Sequence, residues 1–173
     1  TAARRTRLNI EGAVVHGERL RLLQRGIGER GGKSWNAILD LSLNRFVSWL
    51  DGRNPLPPVR RVLEIDLGAV AGVSLGFTDA AVTADGRVAF LACAEDTRDA
   101  LNDGPVLGCQ FGWLDADDQA AVMTTIVGSD GRPTRLKLEG IETRIDGGSV
   151  FDVVADMDRG DEPAQLAELI VRE

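Results

Sequence analysis

The chain has 173 residues, 43% of them hydrophobic, which suffices for one domain with a real core and excludes a disordered tract. Its formal charge of −7 and pI of about 4.8 argue against a nucleic-acid backbone as partner. Aromatics make up only 5% and Tyr is absent, which weakens a stacking platform for bases, and no apolar run approaches the ~20 residues of a membrane-spanning helix.

The opening residues, "TAARRTR", lack an initiator Met and any apolar secretory stretch, so the expectation is a piece of a longer protein. Residues 8–26, "LNIEGAVVHGERLRLLQRG", read as a strand, a polar turn at His16-Gly17-Glu18 and a second strand. Glycine supplies the positive φ that such a hairpin turn needs. Next comes a stretch with the look of a nucleotide site. Gly26, Gly28 and Gly31 spell G-x-G-x-x-G, and Gly32-Lys33-Ser34 matches the tail of a phosphate loop. A dinucleotide fingerprint requires a helix to begin at the glycines, whereas "WNAILDL" (35–41) fits a strand. The first glycine of a phosphate loop would fall on Ile27. The stretch therefore reads as a loop. "LNRFVSWLDG" (43–52) predicts one or two helical turns, ended by Gly52 and the prolines at 55, 57 and 58, and "RVLEIDLG" (61–68) a fourth strand.

The pattern then recurs. "GFTDAAVTADGRVAFLACAED" (76–96) turns at Ala84-Asp85-Gly86, and is followed by "GCQFGWLD" (108–115), the turn "ADDQ" and "AAVMTTIVG" (120–128). "LKLEGIETRIDGGSVFDVVADMD" (136–158) turns at Asp146-Gly147-Gly148, with only "AQLAELIV" (164–171) after it. Aligned on an acid followed by a small residue, Glu11, Asp79 and Glu139 stand 68 and 60 residues apart. Recurrence on this scale predicts an all-β fold of four-stranded antiparallel blades arranged as a β-propeller. The blades span 8–68, 76–128 and 135–172, the last lacking its outer strand, within one fragment covering 1–173. Propellers close with ~4–8 blades, so three call for completion to a six-bladed ring. The missing N-terminal half of the same protein is preferred as the source over a second copy.

Smaller features read plainly. Cys93 and Cys109 are expected as buried thiols, because the chain is not built on a cysteine framework. His16 belongs to a solvated turn, and Trp35, Trp49 and Trp113 to the core. There is no G-x-S-x-G elbow and no histidine placed to serve a serine nucleophile. "DADDQ" (115–119) lacks the Gly and distal Glu of an EF-hand and reads as a turn.

Blade geometry places the candidate chemistry. The end of each second strand lies beside the start of the first. Arg25 then neighbours Glu11, Glu95 and Asp96 neighbour Asp79, and Asp156 and Asp158 neighbour Glu139, all at one mouth of a central channel. Two like charges ~4 Å apart repel by about 4 kcal/mol at an effective dielectric of 20, so such acids protonate, pair with a cation or hold a metal. Oxygen ligands without Cys or His select Ca²⁺ or Mg²⁺. Glu11, Asp79, Glu139, Asp156 and Asp158 form the candidate metal set, with Arg25, Glu95 and Asp96 at the mouth for a small-molecule ligand. The alternative use of the same acids is structural, each bonding backbone N–H groups of the next blade.

The chain resembles an uncharacterised bacterial family of β-propellers through "NIEG", "LGFTDAAV", "DGRV", "AEDT", "DGPVLG" and "LEGIE", with a terminal "DMD" standing for the family's Asp-x-Asp. The likeness covers nearly the whole chain, as the C-terminal half of a family member. The Glu-Gly starts and Asp-x-Asp end are also similar to phytase-like and regulatory propellers, which use channel-facing acids, sometimes with calcium. That resemblance implies the same eight residues around the channel mouth. The favoured expectation is a non-catalytic scaffold or binding module. The alternative is a metal-dependent phosphoester or ester hydrolase, in which the cation lowers the pKa of a bound water and Arg25 holds the anionic group. A sugar- or small-molecule-binding propeller would want aromatics at the mouth, where the sequence offers mainly Trp35. The expected setting is cytoplasmic, with the periplasm left open, and neither nucleic acid nor membrane is an expected partner.

Overall fold

The computed structural model describes residues 8–26, 35–96, 104–115, 118, 120–144, 149–157 and 161–172. The fold is all-β, built of antiparallel sheets with one short helix. In the first sheet, β1 (Ile10–His16), β2 (Arg19–Gln24), β3 (Asn36–Ser42) and β4 (Arg61–Ile65) pair in chain order. The second sheet runs β5 (Ala69–Val70), β6 (Val73–Val82), β7 (Val88–Glu95), β8 (Val106–Leu114) and β9 (Ala120–Thr125). The third comprises β10 (Lys137–Thr143), β11 (Val150–Asp156) and β12 (Gln165–Ile170).

Local chemistry explains the connections. Gly17 and Gly86 have φ of 60° and 83° at the first two hairpin turns, as their sequences required. The third expected turn, at 146–148, lies outside the described residues. Between β3 and β4 the expected helical turns form α1 (Leu43–Leu50), and Gly52, at φ 69°, donates its N–H to Trp49 O as the chain leaves. β3 follows the glycine-bearing stretch as a strand, in keeping with the loop reading of 26–34; residues 27–34 themselves lie outside the described set.

Four strands per unit holds for the first sheet. The second gains β5, a two-residue strand that folds back on β6 through Ala71 and Gly72, both at positive φ. The sheets thus contain four, five and three strands rather than uniform blades.

The second sheet lies between the other two. β6 packs against β1 on one side and β10 on the other. Val14, Leu23, Ile38 and Ile65 of the first sheet meet Leu75, Phe77 and Phe90 of the second. On its other face Leu91 and Phe111 meet Ile141, Phe151 and Val153 of the third. Both faces of β7 are covered, so all eight of its residues are buried, which is why "VAFLACAE" is a continuous run and not an alternating one. The outward face of the first sheet carries a smaller cluster, in which Trp35 and Phe46 of α1 lie on Ala37, Leu39 and Leu41.

Further expectations need correction. Cys93 and Cys109 are joined in a disulfide, because the β7–β8 register sets them directly opposite with Cα atoms 4.1 Å apart. Trp49 is exposed on α1 beside Phe46, while Trp35 and Trp113 are partly buried as expected. His16 ends β1, with Nδ1 3.3 Å from an Arg19 nitrogen.

The last correction concerns the repeat. Each inner strand carries one β-bulge, at Glu11 in β1, Thr78 in β6 and Glu139 in β10. Gly12, Asp79 and Gly140 therefore occupy the same place, and Asp79 is equivalent to the two glycines rather than to the two glutamates. The sequence alignment slips by one residue there because the bulge, not the acid, sets the register.

Candidate functional site

The backbone around Arg25 is held on every side. Its N–H donates to Asn9 O (2.8 Å), and its carbonyl accepts from Gln24 Nε2 (2.6 Å). Gly26 N–H donates to Asn36 Oδ1 (2.9 Å), whose Nδ2 donates to Leu75 O in the second sheet (2.8 Å). The Arg25 side chain then crosses β6 over Gly76, where a Cβ would come within 2.8 Å of Arg25 Cγ. Glycine is required at 76 to let the guanidinium pass. On the far side it donates to Glu95 Oε2 at the end of β7.

Glu95 is 5% exposed and serves two sheets. Its second oxygen, Oε1, lies 3.7 Å from Lys137 Nζ at the start of β10, and that ammonium is 3.6 Å from Glu139 Oε1. Arg25 of the first sheet, Glu95 of the second and Lys137 of the third form one ionic chain. Burial pushes the Glu139 carboxyl up from its ordinary value; Lys137 and Arg25 oppose the rise, while Glu11 and Glu95 add to it. Glu95 and Glu139 thus share Lys137, and Glu95 Oε1 and Glu139 Oε1, both facing that ammonium, are buried without a hydrogen bond. Oxygens in that state are costly unless an ion, a proton or a water satisfies them.

Asp79 is used differently. Its Oδ2 accepts the Ile141 N–H of β10 at 3.0 Å. Burial raises its pKa, hydrogen bonds from the Ile141 and Ala80 backbones pull it down, and Glu142 raises it further, leaving it above the ordinary range. This is the backbone-bonding role weighed for these acids from sequence. Asp156 stands opposite Lys137 in the β10–β11 register, and Asp96 follows β7 with its N–H donating to Pro105 O (3.1 Å). Asp158 lies outside the described residues. Of the expected set, the structure gathers Glu11, Arg25, Glu95 and Glu139 and assigns Asp79 to the junction of the inner strands. Among the described residues, no three His, Cys, Asp or Glu side chains gather as ligands for a metal ion.

A second ionic cluster joins the first and second sheets elsewhere. Arg21 is 0% exposed. Its Nε is 3.3 Å from Asp40 Oδ1 and its NH1 donates to Asp118 Oδ1 at 2.7 Å. Arg61 reaches Asp118 Oδ2 (2.5 Å) and Arg19 reaches Asp40 (3.4 Å). Asp118 lies between β8 and β9, in the segment expected as a turn, where its N–H donates to Asp115 O (3.0 Å). Burial acts to raise the Asp118 pKa, but hydrogen bonds and charge from Arg21 and Arg61 outweigh it and hold the carboxyl below its ordinary value.

Comparison with known proteins adds one finding, a match along residues 1–162 to DUF6910, a family of unknown function. The chain belongs to DUF6910. No curated protein and no solved structure matches it. No helix among the described residues of this DUF6910 chain is long and apolar enough to cross a membrane.

Sequence reasoning missed Lys137, Arg21, Asp40 and Asp118 in this DUF6910 protein. A signal existed for the first three. Lys137 precedes Glu139 by two residues, the spacing that keeps side chains on one face of a strand. Arg21 and Asp40 interrupt the apolar runs "RLRLLQ" and "NAILDLS", and a charge inside a buried strand is tolerated only when paired. Asp118, 97 residues from Arg21, had no local signal.

Proposed function

We propose that this DUF6910 chain is a non-catalytic binding or scaffold module whose three sheets are consecutive blades of a β-propeller. One observation carries the reading: Glu95 is engaged by Arg25 and Lys137 from the two flanking sheets. Among the described residues, Arg25, Glu95 and Lys137 are used on one another at the shared end and Asp79 on backbone, which argues against a nucleophile or general base among these four. The recurrent bulge at Glu11, Thr78 and Glu139 supports a propeller, since each inner strand repeats the same break beside its neighbour. The Cys93–Cys109 disulfide supports an oxidising compartment over the cytoplasm. Assay of the purified protein on ester and phosphoester panels tests the reading. It expects no turnover; activity that disappears in Glu139→Gln would overturn it.

A second reading, a metal-dependent phosphoester or ester hydrolase, is favoured by the two buried carboxylate oxygens without hydrogen bonds, Glu95 Oε1 and Glu139 Oε1. Glu11, Glu95 and Glu139 would hold Ca²⁺ or Mg²⁺, which would supply Lewis acidity, and Arg25 would bind the anionic group. On this reading calcium or magnesium raises the melting temperature of the wild type and not of Glu139→Gln. On the first reading neither cation changes it.

A further inference from the structure

The second sheet is covered on both faces, whereas the first and third each turn one face away from it. On the third sheet Phe151, Val153 and Ala155 point to the core, so the alternate residues form the free face. There Val154 stands opposite Leu166 and Val150 opposite Ile170, and Leu166 is 74% exposed. Asp152 and Glu168 stand opposite each other between these two apolar pairs, bridged by Arg144 at 2.8 and 2.7 Å. Residues 150–170 hold six acids and one arginine, and with Arg144, which bridges two of those acids, the formal charge is −4.

The opposite end of the stack has the complementary character. α1 lies on the outward side of the first sheet, where Phe46 packs on Leu39 and its neighbours. Val47, Trp49 and Leu50 of α1 and Val62, opposite Leu39, are exposed there, and Leu56 and Val59 of the connecting segment are exposed as well. Residues 43–62 hold four arginines and one aspartate, a formal +3 in a chain of net −7. One molecule thus has an apolar face set among acids at one end and an apolar face set among arginines at the other. Large exposed apolar patches rimmed by charge mark interaction sites.

We propose that these two ends bind each other in a second copy of the chain, the third sheet of one protomer on the α1–β4 end of its partner. Charge complementarity selects this occupant. So does continuity: β1 already packs on β6 and β6 on β10, and a sheet placed beyond β10 extends the same stacking. The contact is heterologous, so it closes in two copies, with no free end left to propagate a fibre, when the three sheets fan through half a turn, as in the propeller reading above. The proposal rests on the propeller part of the functional reading above for its closure and is independent of whether the module is catalytic.

Analytical ultracentrifugation of the 173-residue chain tests it, with Leu166→Glu and Leu50→Glu as variants at opposite ends. Both sites are exposed, so circular dichroism of each variant should match the wild type. The wild type is expected to sediment as a dimer that weakens with salt, and each variant to raise the dimer Kd by at least about tenfold, as loss of a central interface anchor does. An equimolar mixture of the two variants retains one intact pair of ends and should recover dimer that neither forms alone. A wild type that stays monomeric at all concentrations overturns the proposal. So does a dimer indifferent to salt, or one that Leu50→Glu leaves intact, or a mixture that remains monomeric.

Discussion

The Asp79 carboxylate accepts the Ile141 N–H at 3.0 Å, while its Cα and Oδ1 stand 3.1 Å from where a Cβ on Gly12 would lie. One residue of β6 therefore touches the inner strands of both flanking sheets. The contact to β1 exists only because position 12 carries no side chain. Gly12→Ala should drive β1 away from β6 and cost about 1–3 kcal/mol, the usual range for overpacking a tight junction. Urea denaturation measures it, and an unchanged midpoint would mean that the two strands do not approach as closely as described.

Glu95 is the hub of the ionic chain, and its removal takes the carboxylate from Arg25 and leaves Lys137 with Glu139. Arg25 and Lys137 side chains are 12% and 10% exposed. Glu95→Ala should destabilise the fold by about 3–5 kcal/mol, the cost of breaking a buried pair from one side. Glu95→Gln, which keeps the shape and an acceptor oxygen, should cost less. Equal losses in the two variants would show that packing rather than charge holds Glu95 in place.

Stability should depend on pH with a definite sign. Asp79 and Glu139 have raised folded-state pKa values. The folded state binds those protons more tightly than the unfolded chain, so stability falls as pH rises from the ordinary carboxylate range through the raised values. Asp118 has a lowered value and acts oppositely. Its contribution is present above the ordinary range and lost as pH falls through the lowered value. Acidification from neutral should first raise the melting temperature and then lower it. In Glu139→Gln the initial rise should be smaller, and the variant should differ most from wild type at neutral pH. Calorimetry across the acid range reads both effects, and a monotonic fall from neutral pH in the wild type would contradict them.

The disulfide closes a loop of 16 residues. Chain-entropy estimates assign such a loop about 3 kcal/mol. Thiol titration of the denatured protein should detect no free thiol before reduction and two after it. Cys93→Ser paired with Cys109→Ser should lose stability of that order. Two thiols found without reduction would restore the reading of Cys93 and Cys109 as unpaired.

Much of the architecture was legible in the residues alone. Alternating apolar runs punctuated by Gly17, Gly52 and Gly86 determined antiparallel strands, tight turns and one short helix, because these follow from backbone sterics within a few residues. The failure of the glycine stretch as a nucleotide site was local too, since a strand rather than a helix follows it. The strand order also gave the expectation that Glu11, Arg25, Asp79, Glu95, Asp96, Glu139, Asp156 and Asp158 share one end. What only the tertiary structure decided depends on register and on packing between sheets. The bulges moved Asp79 onto the glycine position, the β7–β8 pairing joined Cys93 to Cys109, and Asp118 met Arg21 across 97 residues. Such pairings are set when distant strands close on one another, and the short-range preferences written in the chain do not specify that alignment.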